Sequence, residues 1–384
     1  RPQASHGDQA TIDGQWQGLA YLHRTEYDRV CREFDAFLAL VESSGAEIGF
    51  LPGHPATGLD SIYTHDPLVV SNRGAILCAM GKAARQEEPD AFAAYLQQAG
   101  VPIVAHVHDY ALLSANYSLF DRYGIDRVGS FWSVVARRGV KDSYVASAIA
   151  AVAFAFHRAI GVYEKNIDRL IFPSRFVQDL FKHKGWHGAR GVVIPYVVDL
   201  KGEDKKPHED NGTMVFAGRL HKTKGVEILI EAARRTGIPV EIIGDGPERK
   251  ALQRQAGAMT NVQFLGALDN AATLQHMRQA RAVVVPSVWW EPFGMVALEP
   301  QGLGTPVIAS NTGGLANVIV HGQTGFLVPP NDVDALAAAM RRVYDDPQEA
   351  ARMGMLGRRR FETQYSIEEH MRRLFSVYAQ VVNN

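Results

Sequence analysis

The stretch Gly218-Arg219-Leu220-His221-Lys222-Thr223-Lys224-Gly225 sets cations between two glycines where a strand gives way to a helix. A strand end feeding a helix N-terminus presents unpaired N–H groups, and arginine adds a fork matched to phosphate oxygens. Lysine contributes a compact point charge. A solvated basic turn has the same composition, so the octet alone only suggests an anion. A second segment, Glu291-Pro292-Phe293-Gly294-Met295-Val296-Ala297-Leu298-Glu299, follows a strand that ends at Pro286. With a helix starting near Phe293, the N–H groups of Gly294 and Met295 face an anion. Glu299 then stands about one and a half turns up the helix, where an acceptor-only carboxylate can hold a vicinal diol. In the first half, His108-Asp109 closes an apolar strand, either as a titratable pair or as its cap.

His106 and His108 alternate onto one face of that strand, and with Asp109 they raise the question of a metal. No third histidine or carboxylate stands at helical spacing nearby. The string Asp332-Val333-Asp334 follows Pro329-Pro330 and reads as a helix N-cap rather than a magnesium clamp. Gly302-Leu303-Gly304 and Gly244-Asp245-Gly246 lack the spacing of a dinucleotide fingerprint.

The elements that must position these residues alternate in type. From Thr213 onward, short β-branched runs predict strands over Thr213–Ala217, Pro239–Ile243, Val262–Leu265, Ala282–Pro286, Pro306–Ser310 and Gly325–Val328. Helical spacing predicts Gly225–Thr236, Arg249–Ala258, Ala271–Arg281 and Asp332–Tyr344 between them. Such alternation argues a doubly wound parallel sheet covered on both faces. The first half reads as the same α/β class, less regularly. Helices are expected at Tyr27–Ser43, Pro89–Ala99 and Tyr144–Glu164. Strands are expected at Ala46–Leu51, Ala75–Ala79, Ile103–Val107, Arg169–Phe172 and Val192–Pro195. Lys201–Gly212, polar and without apolar periodicity, reads as an inter-domain linker.

Composition narrows the function class. With 384 residues, two domains are expected at ~150 residues each. The 40 Lys+Arg and 41 Asp+Glu divide evenly, net −2 over residues 1–200 and +1 over 201–384. A nucleic-acid reader normally carries a strongly basic domain, so no such partner is expected. Two cysteines, Cys31 and Cys78, form neither a disulfide framework nor a four-ligand zinc site, and a reduced, cytoplasmic setting is the default. The longest apolar run, Val145 to Phe156, is shorter than the ~18–20 residues of a membrane span and reads as a core or interfacial helix.

In order and spacing, the octet, Gly244-Asp245-Gly246-Pro247, Glu291…Glu299 and Asn311-Thr312-Gly313-Gly314 resemble the retaining glycosyltransferases of family four (glycosyl transferases group 1), which have the GT-B fold. The likeness is close over Thr213 to Arg360 and extends back through Pro89–Asp109 and Ala159–Asp199. It implies two Rossmann-like α/β domains facing a cleft: 1–200 on the acceptor side, and 201–384 binding the nucleotide sugar, with a last helix that crosses back. By resemblance, Arg219 and Lys224 go to the donor diphosphate and Glu299 to the ribose hydroxyls, with Gly218 among the substrate-binding residues. Glu291, with the backbone of Phe293, Gly294 and Met295, goes to the transferred sugar and distal phosphate. Gly244 lines the pocket, and His108-Asp109 faces the donor sugar across the cleft. Trp289-Trp290 reads equally as a wall of the sugar pocket or as packing under the loop.

The implied activity is transfer of a hexosyl-type group from a UDP- or GDP-linked sugar to an acceptor hydroxyl, with retention, without a metal and without a cofactor beyond the donor substrate. Acceptor saccharides, small molecules and lipid-linked glycans all fit. Membrane contact is at most peripheral, at the inner face, through Arg137-Arg138…Lys141 or Arg358–Arg360, runs that read first as solvated faces. Two departures stand out. Residues 1–60 lack the expected strand and Gly-Gly loop, with Pro52-Gly53-His54 the nearest substitute, so the first domain is divergent or truncated. Pro300 directly follows Glu299 and is expected to kink its helix. Two rival readings remain: a sugar-nucleotide epimerase or hydrolase on a similar fold, and a non-catalytic partner that keeps the donor site.

Overall fold

A computed structural model describes most of residues 102–382, the strand segments Val70–Ser71 and Gly74–Cys78, and the isolated helical residues Ala10, Asp28, Arg32 and Asp35. Most of the helix expected over 27–43, Cys31, the strand 46–51 with Pro52-Gly53-His54, and the helix 89–99 lie outside the described residues.

The first lobe is built on β1 (Val70–Ser71), β2 (Gly74–Cys78) and β3 (Ile103–His106). A hairpin of β4 (Phe120–Asp121) and β5 (Gly124–Ile125) follows, then α1 (Phe131–Ala136) and α2 (Tyr144–Ile160). β6 (Arg169–Phe172), α3 (Arg175–His183) and β7 (Gly191–Val193) complete it. The strand order is β1-β2-β3-β6-β7, parallel except for the antiparallel β1.

The second lobe runs β8 (Met214–Ala217), α4 (Val226–Thr236), β9 (Val240–Ile243), α5 (Arg249–Ala256), β10 (Val262–Gly266), α6 (Asn270–Gln279) and β11 (Ala282–Val285). It continues through α7 (Met295–Gly302), β12 (Val307–Ser310), α8 (Leu315–Val318), β13 (Gly325–Val328), α9 (Val333–Asp345) and α10 (Pro347–Gln364). Its six parallel strands take the order β10-β9-β8-β11-β12-β13, the doubly wound Rossmann arrangement. Side chains alternate across this sheet as a strand dictates. Met214 and Phe216 join one buried cluster, and Val215 and Ala217 join the other. A last helix, α11 (Ile367–Val382), packs Val377 and Val381 on Val104 and Ile171 of the first sheet.

The expected elements recur with shifted ends. The long helix stops at Ile160, not Glu164, because Gly161 turns left-handed (φ 68°) and caps it. That helix is not a core helix on all sides, since Val145, Ile149, Val152 and Phe156 are exposed. Among the described residues no helix is long and apolar enough to cross a membrane. The described end of the linker is pinned to the second lobe: Asp210 pairs with Arg281 at 2.6 Å and Glu209 with Arg278 at 3.0 Å. The two basic runs are also engaged locally. Arg137 pairs with Asp121, Arg358 pairs with Glu362, and Arg360 donates to the Asn317 carbonyl.

One loop of the second lobe is held by the first. Tyr110 Oη donates to the Trp290 carbonyl at 2.7 Å, and Ser174 Oγ to the Pro292 carbonyl at 2.6 Å. Trp289 Nε1 donates to the Ser118 carbonyl, and Phe176 N to Asn317 Oδ1 at 3.0 Å. Trp289 and Trp290 pack against the first lobe's core, which favours the packing reading of that pair. Tyr110 is fully buried, so Tyr110→Phe leaves a carbonyl without its donor and is expected to cost about 1–3 kcal/mol. Calorimetric unfolding checks this: a clear drop in Tm is expected, and an unchanged Tm contradicts the clamp.

Candidate active site

In an open α/β sheet, ligands bind beyond the carboxyl ends of the strands where the strand order reverses. Here that point lies between β8 and β11. The octet leaves β8, and the Glu291 segment leaves β11. Leu220 anchors the octet in the core, and Lys222–Lys224 form a 3₁₀ turn whose Thr223 N–H is accepted by His221 Nδ1. Gly225 (φ 64°) ends the turn and opens α4, and a Cβ there would strike the Pro286 carbonyl.

Folded this way, the octet aims Lys224 at the other loop. Lys224 Nζ lies 2.6 Å from Glu291 Oε1, and Ser287 Oγ donates to the same oxygen at 2.8 Å. Glu291 is only 6% exposed, and a carboxylate so buried needs such partners. Arg219, by contrast, is exposed, and its guanidinium makes no hydrogen bond among the described residues. Asn311-Thr312-Gly313-Gly314 supports the loop from behind. Gly314 N donates to the Glu291 carbonyl at 2.6 Å, and a Cβ on Gly313 would come within 2.5 Å of that oxygen.

The helix after the loop starts at Met295 rather than Phe293. Gly294 is left-handed (φ 98°, ψ 63°) and forms the N-cap, while Phe293 is buried in the core against Tyr196 and Tyr365. The free first-turn N–H groups are therefore those from Met295 onward. Glu299 is the fifth helical residue, half-buried, and its carboxylate has no hydrogen-bonded partner among the described residues. Burial alone raises its carboxyl to about 7. Pro300 does not end the helix, which runs on to Gly302 and closes where Leu303 N donates to the Glu299 and Pro300 carbonyls. Gly244 (φ 134°) sits against Gly218, where a Cβ would strike the Gly218 carbonyl, so it lets two strand-end turns touch.

His108 reaches the same loop through an intermediary. Its Nδ1 is hydrogen-bonded to Tyr196 Oη, and the two rings stack at 5.5 Å. Tyr196 in turn meets Phe293 edge-on at 5.3 Å. Asp109 accepts from Ala111 N at 2.8 Å, as a turn-closing residue does, and burial raises its carboxyl to about 6. The third neighbour of the His106–His108 pair is a histidine, His370. Burial first, then these two, lower His106 to about 3. Asp332 caps α9 and Asp334 pairs with Arg235, as an N-cap reading requires. Sequence reasoning missed Ser287, four residues before Glu291, and Tyr196, although Tyr196 stands inside the stretch 159–199 that carried the resemblance.

The raised Glu299 carboxyl makes a pH prediction. Between 4.5 and about 7 the folded state holds a proton that the unfolded chain has lost, so stability falls as pH rises through this window. Glu299→Gln removes that site. Its Tm is expected to fall less than the wild type's between pH 5 and 8, and parallel curves contradict the assignment.

Comparison with known proteins bears on the same residues. Residues 199–360 match the family described as glycosyl transferases group 1. The chain is 32% identical to glycogen synthase of Mycobacterium tuberculosis over 276 residues, 69% of this chain and 65% of that protein. It is 38% identical to D-rhamnosyltransferase WbpZ of Pseudomonas aeruginosa over 144 residues, 36% of this chain and 38% of that one. The chain thus spans just under two thirds, or less, of these relatives. In fold it is similar to Anabaena HepE, solved in complex with UDP, with a TM-score of 0.62 at 20% identity, covering 90% of this chain and 89% of that one. The strand order, the two loops at its reversal and the match over 199–360 together identify residues 199–360 as a group 1 glycosyltransferase domain, in a chain with the GT-B fold.

Proposed function

We propose that the chain transfers a hexosyl-type group from a nucleoside-diphosphate sugar to an acceptor hydroxyl, with retained configuration and without a metal ion. The observation that carries this is that the octet, with Lys224 paired to Glu291, and the loop that leads into the α7 N-terminus leave the two strands at which the strand order reverses. Its relatives support the class, since one is a glycogen synthase and the other a D-rhamnosyltransferase by name.

In this reading the diphosphate lies over the octet and the first turn of α7. The bond from the sugar's anomeric carbon to the phosphate oxygen breaks, and the bond to the acceptor oxygen forms on the same face. A donor phosphate oxygen takes the acceptor's proton. Charge on the departing diphosphate is met by Arg219, Lys224 and the helix dipole, the electrostatic contribution that dominates such steps. Because Lys224 already holds Glu291, an arriving diphosphate shares that ammonium, and Glu291 is left facing the sugar. Glu299 accepts from the ribose hydroxyls. His108, oriented by Tyr196, and Asp109 stand on the opposite lobe and face the donor sugar.

The test pairs calorimetric binding of UDP and GDP with transfer from the matching sugar nucleotides to an acceptor panel. One diphosphate is expected to bind, and Arg219→Ala to weaken it about 10- to 150-fold through loss of a charge-assisted hydrogen bond. Transfer should survive EDTA, and the product's anomeric NMR signal should keep the donor's configuration. Failure of both diphosphates to bind, or an inverted product, overturns the reading. Free sugar as the sole product favours a hydrolase.

A further inference from the structure

Beside the octet, the two lobes line an open groove of about 660 Å³. One wall is the β4–β5 hairpin, which presents Phe120 and, 61% exposed, Tyr123. This wall is rigidly supported. Arg137 grips Asp121 through two nitrogens at 2.6 and 2.8 Å and donates to the Gly124 carbonyl. Lys184 Nζ holds the Arg127 carbonyl at 2.7 Å. The facing wall comes from the second lobe, with Lys222 on the octet, Glu227 on α4, and Glu248 and Gln255 on α5. Val288, whose N–H donates to the Thr223 carbonyl at 3.0 Å, also lines the groove, three residues short of the Glu291 carboxylate.

The lining specifies a chemistry. Arg127 and Lys222 balance Glu227 and Glu248, so the groove carries no net charge. An anionic ligand would meet two carboxylates, and an apolar one would strip water from four charges. Glu248 stands at the start of α5 yet its side chain makes no capping bond, and neither its carboxylate nor the Lys222 ammonium is hydrogen-bonded among the described residues. Their hydrogen-bonding capacity is left for a ligand. Carboxylates accept from hydroxyls, the ammonium, guanidinium and amide groups donate to hydroxyl oxygens, and aromatic rings cover apolar faces. The volume falls within the range of small-molecule sites.

We propose that this groove binds a neutral saccharide, the portion of a glycan acceptor that lies beyond the reacting hydroxyl. It rests on the glycosyltransferase reading above and narrows it to an acceptor of more than one sugar unit. Two lobes supply the walls, so the bound glycan also bridges them.

The probes are neutral α-glucans from maltotriose to maltoheptaose and α-mannans of matched lengths, with glucose 6-phosphate as the anionic comparator. Binding is read by NMR titration of the wild type, Tyr123→Ala and Glu248→Gln, alongside UDP and GDP affinity in each. One neutral series is expected to bind the wild type, more tightly with length, and each variant to weaken it about 10-fold, roughly one hydrogen bond or one aromatic face. Nucleoside-diphosphate affinity should be unchanged in both variants. The proposal is overturned if neither series binds the wild type, if both variants bind as it does, or if glucose 6-phosphate binds the groove more tightly. Loss of diphosphate binding in the wild type itself would count instead against the donor site.

Discussion

The ion pair between Lys224 and Glu291 joins the two loops that leave β8 and β11, and the geometry of the site follows from it. A carboxylate buried to this degree is strongly disfavoured unless a cation and a donor meet it. Lys224 at 2.6 Å and Ser287 at 2.8 Å do so on a single oxygen. This requirement fixes the turn of the octet. The chain must pass close enough to Pro286 that only glycine fits at 225, and it must curl through a 3₁₀ turn to bring the ammonium round. It also explains the paired glycines at 313–314, which let the β12–α8 connection press directly on the Glu291 backbone.

The Glu291 loop belongs to the second lobe by sequence and to the first by packing. Its two tryptophans sit against Tyr110 and Phe176, and two of its carbonyls accept from Tyr110 and Ser174. A rearrangement of the lobes therefore displaces the residues proposed to hold the transferred sugar. His108 also reaches Phe293 through Tyr196, which adds a second contact from the first lobe to this loop. α11 adds a third tie, running from the second lobe onto the first sheet.

Much of the second lobe was legible in the sequence because its strands are short, β-branched and bounded by glycine or proline. Gly325–Val328 has the ends its sequence predicts, as does Arg169–Phe172 in the first lobe, and Asp332 is the cap its sequence predicts. Local signals that depend on one residue's φ were not legible in advance. Gly294 delays its helix by two residues, and Gly161 ends another early. Contacts made at long range escaped altogether. The partners of Trp290 and Pro292 lie 180 and 118 residues away, and no periodicity marks them. Ser287 and Tyr196 look like ordinary loop residues until the fold brings them to Glu291 and His108.

The decisive measurement is calorimetric affinity for the preferred nucleoside diphosphate in Lys224→Met, Glu291→Gln and the double variant. If Lys224 passes from Glu291 to the diphosphate, Lys224→Met should lose about 10-fold or more in affinity. Glu291→Gln should keep the wild-type affinity or improve on it, because it releases the ammonium from its competitor. The double variant should then resemble Lys224→Met alone. Equal losses in the two single variants would contradict this exchange and reduce the pair to a structural strut.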